Sequence, residues 1–167
     1  KKMNWKNILK NNCKILIAGG TGFIGYHLCS FFRKKKWIVH SFSISKPKKN
    51  RKVKGVKYIF GDVAKKNDLI KKLDIYYDYI VNLSGYVDHS KNKSILRTHF
   101  YGCRNLINNF KKKLPKKFIQ IGSSIEYGKS KSPQKESLLK KINTFSVYGN
   151  AKLESTLFLL SIFKKKK

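Results

Sequence analysis

The stretch Lys14-Ile-Leu-Ile-Ala-Gly-Gly-Thr-Gly-Phe-Ile-Gly25 reads as a buried strand, Ile15 to Ala18, that runs into a glycine-rich turn and then a helix. Glycines stand at 19, 22 and 25, with an extra one at 20. Gly19 permits the tight exit from the strand, Gly22 lets the backbone approach a pyrophosphate with no Cβ in the way, and Gly25 lets the new helix pack close to the strand. The helix N-terminus then points unpaired N–H groups and a positive dipole end at the phosphates. A glycine triplet alone also describes an ordinary flexible turn. The strand before it and the apolar helix after it are the context that makes it a dinucleotide-binding motif.

Outward from this turn, strand-like and helix-like patterns alternate. Phe23 to Phe32 reads as a helix with Ile24, Leu28 and Phe31/Phe32 on one face. Strands are expected over Trp37–Ile44, Val56–Phe60, Tyr77–Leu83 and Phe118–Ile121, the fourth strand being an apolar run suited to burial on both faces. Helices are expected over Asn67–Leu73, Ser94–Phe110 and Ser146–Phe163. Ser45–Lys54 reads as a basic loop. The alternation implies right-handed crossovers and a doubly wound α/β sheet, Rossmann-like, in the order 3-2-1-4-5. No internal repeat or linker interrupts it, so residues 1–167 are expected to form one NAD(P)-binding domain.

The 167 residues suffice for one sizeable core. The longest apolar runs are too short to span a bilayer. The first ten residues lack the apolar stretch and small-residue cleavage site of a signal peptide. Cys13, Cys29 and Cys103 share no metal-like spacing and are expected to be reduced thiols in a cytoplasmic protein. Thirty-nine Lys and Arg against eight Asp and Glu give a net charge of +31. Such a field attracts polyanions. However, the lysines are spread over every loop and helix face, without the interleaved aromatics of a stacking platform. Neither nucleic acid nor a membrane is expected as the main partner, and no metal site is expected.

Tyr148 and Lys152 lie four apart, on one face of the last helix. An ammonium beside a phenol favours the phenolate, and a phenol so tuned can exchange a proton with a substrate hydroxyl. In a lysine-rich helix such a pair also arises by chance. Ser123, at the end of the fifth strand, lies where open parallel sheets place their sites, with Ser124 the competing hydroxyl.

Several further segments join the glycine turn in one pattern. They are Gly61-Asp62-Val63, Asn82-Leu-Ser-Gly85, Gly102-Cys-Arg-Asn-Leu106, Gly122-Ser-Ser-Ile-Glu-Tyr-Gly128 and Tyr148-Gly-Asn-Ala-Lys152. In that order and at those spacings the chain resembles the N-terminal part of the NAD-dependent epimerase/dehydratase family, the extended short-chain dehydrogenase/reductases that work on nucleotide sugars. The resemblance implies NAD or NADP as cofactor and a nucleotide sugar as substrate. It implies Ser123, Tyr148 and Lys152 as catalytic residues, with Lys152 also holding the nicotinamide ribose. It places Gly19, Gly22, Phe23, Ile24, Gly25, Ser43, Asp62, Val63, Leu83, Ser84 and Gly85 around the dinucleotide, Asp62 and Val63 flanking the adenine. A second copy of the chain, docked through the long helices, is a further candidate partner.

The chain departs from the family pattern in places. The sugar dehydratases carry an Asp-Glu pair after the catalytic Thr; here those positions read Ser124-Ile125, with Glu126 one place late, which argues against a dehydratase. No acidic residue follows the second strand to accept a ribose 2′-hydroxyl; Ser43, Lys46, Lys48 and Arg51 stand there, which leaves NADP open. His99 occupies a position where the family has Asn. Family members also continue past the Tyr–Lys helix into a small C-terminal substrate domain, which is expected to be missing from these 167 residues. Two functions remain: an NAD(P)-dependent nucleotide-sugar epimerase or oxidoreductase in surface-polysaccharide sugar synthesis, or a dinucleotide-binding module without turnover, acting as a sensor or RNA-associated protein.

Overall fold

A computed structural model of the chain describes residues 12–85, 92–135, 144 and 146–164. The N-terminal segment read for a signal peptide lies outside them. Five strands form one parallel sheet in the order β3-β2-β1-β4-β5. They are β1 (Lys14–Ala18), β2 (Ile38–Ser43), β3 (Lys57–Phe60), β4 (Tyr79–Asn82) and β5 (Lys117–Gln120). The expected strand order is the observed one.

Side chains alternate across a strand, so β1 feeds two cores. Leu16 and Ala18 join Phe42, Ile80, Leu69 and Leu106 on one face. Ile15 and Ile17 join Trp37, Val39, Val81 and Cys29 on the other. Helix α1 (Phe23–Lys34) covers the second face, and α2 (Lys66–Lys72) and α4 (Gly102–Asn109) cover the first. This two-sided cover is what lets a parallel sheet consist of nearly continuous apolar strands. The last helix, α5 (Val147–Lys164), packs Leu159 against Cys103 and Ile107 of α4. None of the described helices is long and apolar enough to cross a membrane.

Most boundaries shift by a single residue, and two elements differ by more. The fourth strand is shorter than Tyr77–Leu83: Tyr77 lies before it, its hydroxyl 2.8 Å from His40 Nδ1, and Leu83 lies after it, its N–H still donating to the Ala18 carbonyl at 2.9 Å. The Ser94–Phe110 helix is also not uniform. It consists of α3 (Asn92–Leu96), a π-helical turn (Arg97–Tyr101) and α4. A wider turn inserts one residue into the helical register, and it falls where Thr98 and His99 face the site.

The register sets the carboxyl ends side by side. Ala18 pairs with Phe42 on one flank and with Asn82 on the other. The crevice outside these ends is where open α/β sheets take their ligands.

Candidate active site

Gly19 adopts φ +81° at the exit from β1, and a Cβ there would fall 2.9 Å from the carbonyl carbon of Leu83. A side chain is thus excluded both by conformation and by space. Gly25 has a different reason. Its Cβ would lie 2.4 Å from the Gly19 oxygen and 2.5 Å from Gly20 Cα, so it is what allows α1 to seat on the turn. Gly22 caps α1, and a Cβ there would meet only the Gly19 oxygen, at 3.3 Å. No side chain caps this helix end, and no acidic residue sits in its first turn. Its N–H groups and positive dipole end therefore face the crevice without an internal anion.

A cleft of about 210 Å³ opens over this turn, lined by Gly19, Gly22, Ser43, Val63, Ser84 and Gly85 among others. Thr21 and Thr98 also line it, and sequence reasoning had not singled them out. Phe23 and Ile24 stand exposed on the first turn of α1. Leu83 contributes its backbone beneath Gly19. The Asp62 carboxylate is engaged elsewhere: Oδ2 pairs with Arg97 Nη2 at 2.7 Å, and Oδ1 accepts the Ala64 N–H at 2.9 Å. Asp62 thus shapes the loop, while its neighbours Gly61 and Val63 line the cleft. Asn82, buried at the end of β4, accepts the Ser84 N–H at 3.1 Å and donates to Gln120 Oε1 at 2.7 Å. It orients the loop that carries Ser84 and Gly85.

The basic loop after β2 reaches back to this crevice. The Arg51 guanidinium lies 5.4 Å from the centre of the Phe23 ring, over the start of α1. The position of Arg51 after β2 was its only signal in the sequence.

The second half of the site is a corner between α5, the exit of β5 and the π-helical turn. Tyr148 and Lys152 share a face of α5, with Lys152 Nζ 5.8 Å from the centre of the Tyr148 ring. Lys152 is buried, and its ammonium donates to the Ile121 carbonyl at 2.6 Å. Burial pushes its pKa below the usual lysine value, and the charge of Glu126 opposes that shift. The His99 ring meets the Tyr148 ring edge-on at 5.0 Å. A Cβ on Gly85 would lie 2.7 Å from His99 Cε1, so His99 stands between the β4 loop and Tyr148. Its place in the site was visible in the sequence only as a departure from the family's Asn.

Ser123 precedes a short 3-10 helix (Ser124–Tyr127) just beyond β5. Its N–H donates to Glu126 Oε1 at 2.7 Å. Ser124 is exposed, whereas Ser123 is half-buried. Cys29 and Cys103 are free and buried, and burial pushes both thiols up to about 12, which keeps them protonated and unreactive.

A model of the NAD dependent epimerase/dehydratase family matches residues 15–167. A search of curated proteins found no match. Among solved structures, the ADP-L-glycero-D-manno-heptose-6-epimerase of Helicobacter pylori is 26% identical with a TM-score of 0.79, over 90% of this chain and 51% of that one. The Bordetella bronchiseptica enzyme WbmG, solved in complex with NAD and UDP, is 22% identical with a TM-score of 0.78, over 88% and 49%. The UDP-Glc/GlcNAc 4-epimerase of Campylobacter jejuni is 22% identical with a TM-score of 0.80, over 92% and 50%. The last two likenesses bear on the fold alone. The chain spans about half the length of the structures it matches.

Proposed function

The chain belongs to the NAD-dependent epimerase/dehydratase family, and on that premise we propose that it is the dinucleotide-binding and acid/base part of a nucleotide-sugar epimerase or oxidoreductase. The observation that carries this reading is the corner where Tyr148, Lys152 and His99 meet beside the glycine cleft. The residues present fit a nicotinamide dinucleotide. The position at Gly22 is open, the end of α1 carries no acid, and Ser84 and Gly85 continue the cleft toward Tyr148.

When bound, the nicotinamide supplies a hydride acceptor for the sugar carbon. The rest is the work of this chain's residues. Tyr148 takes the proton of the sugar hydroxyl and returns it in the reverse step. Lys152 stabilises the phenolate by its charge and would hold the nicotinamide ribose when the dinucleotide is bound. Ser123 would hydrogen-bond the reacting oxygen. His99 holds the Tyr148 ring edge-on, which restricts its rotation and keeps the hydroxyl aimed. Gly19, Gly22 and the first turn of α1 take the pyrophosphate, and Ser43 and Val63 flank the adenosine half.

The nucleotide-sugar class is drawn from the family and from relatives named as ADP-heptose and UDP-sugar epimerases. A place in surface-polysaccharide sugar synthesis extends the same reading. Rate depends on remote contacts to the nucleotide part of the substrate. Residues 1–167 are therefore expected to bind the dinucleotide but to turn sugars over weakly unless a substrate-binding segment is joined to them.

The test follows reduced-nicotinamide absorbance and sugar product with such a segment joined. Tyr148→Phe keeps the ring and removes the acid/base proton. It should lower kcat by about a hundredfold or more and leave dinucleotide affinity nearly unchanged. Full activity in that variant would overturn the mechanism. Dinucleotide binding with no turnover in any form would leave a binding module.

A further inference from the structure

Ser123 and the Tyr148–Lys152 pair stand on different elements, and their mutual geometry must be held by something. Glu126 spans the gap. Its side chain is only 4% exposed, although it is one of just eight acidic residues in the chain. Oε1 accepts the Ser123 N–H at 2.7 Å, and Oε2 accepts the Thr156 hydroxyl at 2.7 Å. Thr156 lies one turn beyond Lys152 on α5, so it shares the helix face that carries the pair. Lys152 meanwhile donates to Ile121, two residues before Ser123. The strand exit is thus tied to α5 from both sides. Gly122 leaves the room this requires, since a Cβ there would lie 2.9 Å from Glu126 Oε1.

We propose that Glu126 is a positioning residue that clamps Ser123 to the α5 face bearing Tyr148 and Lys152, and that it serves as the counter-charge of the buried Lys152. A carboxylate this buried persists only with hydrogen bonds and a compensating charge. The two hydrogen bonds are its own; Lys152, buried in the same corner but not in a direct ion pair with it, is the cation whose charged form Glu126 favours. The other titratable groups beside this corner are Cys103, Tyr148 and His99. Cys103 on α4 is held protonated by burial, Tyr148 lies on the same helix, and His99 stands beyond the Tyr148 ring. This also accounts for the carboxylate sitting one place late for a dehydratase. It is turned toward α5 rather than toward substrate. What Ser123 and Lys152 do once clamped rests on the proposed function, whereas the clamp does not.

The test uses the whole chain and NMR. Lys152 is followed by the pH titration of its side-chain amine signal, assigned with Lys152→Arg. Ser123 is followed by amide hydrogen exchange. Glu126→Gln keeps the shape, the Ser123 bond to its Oε1 and, with Nε2 now donating to the Thr156 hydroxyl, the second bond as well, but removes the charge. It should lower the Lys152 titration midpoint by about one unit or more while leaving the Ser123 amide protected. Glu126→Asp keeps the charge but shortens the reach, and should speed Ser123 exchange at least tenfold with a smaller change in midpoint. An unmoved midpoint in Glu126→Gln would overturn the counter-charge role. Unchanged Ser123 exchange in Glu126→Asp would overturn the clamp, and it remains readable if Glu126→Gln does not fold. NAD titration of the parent chain is run alongside. Absent binding there would count against the dinucleotide reading and would leave both clamp readouts intact.

Discussion

The Lys152 ammonium donates a 2.6 Å hydrogen bond to the carbonyl of Ile121, across 31 residues of sequence, and so fastens α5 to the exit of β5. The bond places the lysine at the junction of the two elements that supply the acid/base corner. It also leaves Lys152 and Glu126 as opposite charges in one buried region.

Lys152→Met should therefore cost more than a hydrogen bond. It removes the tie and strips Glu126 of its compensating charge, lowering stability by roughly 1–3 kcal/mol. Adding Glu126→Gln should restore part of the loss. In a double-mutant cycle by urea denaturation at neutral pH, the coupling should exceed about 0.5 kcal/mol. Additive effects would show that the two charges do not sense each other.

The glycines at 22 and 25 should fail in different ways. Gly22→Val puts a branched side chain where the backbone otherwise lies open. It should fold, yet bind NAD at least tenfold more weakly, a loss of about 1.4 kcal/mol. Gly25→Ala drives a methyl to 2.4 Å from the Gly19 oxygen. It should lower the unfolding free energy by roughly 1–3 kcal/mol. Titration calorimetry and thermal melts separate the two. Wild-type NAD affinity in Gly22→Val would remove the turn from the binding site.

The end of β2 predicts a cofactor preference. Ser43 lines the cleft, and Arg51 of the loop after β2 lies over Phe23 at the start of α1, a hydroxyl and a cation of the kind a ribose 2′-phosphate takes. NADP is expected to bind at least as tightly as NAD, and Arg51→Ala should weaken NADP about tenfold with little effect on NAD. Equal losses for the two cofactors would show that Arg51 does not read the 2′ position.

Stability should fall on mild acidification. His40 is buried with Nδ1 2.8 Å from the Tyr77 hydroxyl, and burial, aided by Lys57 and Lys14, holds its pKa below 6.5. The unfolded chain therefore takes up the proton first. The contribution is complete above about pH 6.5 and is lost as the pH falls from there toward the folded value, with a limiting slope of about 1.4 kcal/mol per unit. Urea midpoints at pH 7.5 and 5.5 should differ in the parent and converge in His40→Gln. An equal slope in the variant would exclude His40 as the cause.

Much of this was open to reading from local pattern. The β1 run, its glycines and the alternation of apolar strands with helices point to a parallel sheet, because period and turn chemistry are local properties, and the order 3-2-1-4-5 comes with the doubly wound dinucleotide-binding topology. The Tyr148–Lys152 spacing likewise places both on one face whatever surrounds them. Local pattern did not reveal the π-helical turn within Ser94–Phe110, since one inserted residue leaves the apolar periodicity almost unaltered.

Long-range partners belong to the tertiary structure alone. Arg51 meets Phe23, His99 meets Tyr148, and Asp62 turns to Arg97 instead of the cleft. Glu126 reads as a misplaced dehydratase acid in the sequence, yet packing turns it inward to Ser123 and Thr156. Spacing along the chain decides which residues share a face. Which groups then meet across two elements depends on how closely the backbones approach, and here glycines at 19, 25, 85 and 122 set those approaches.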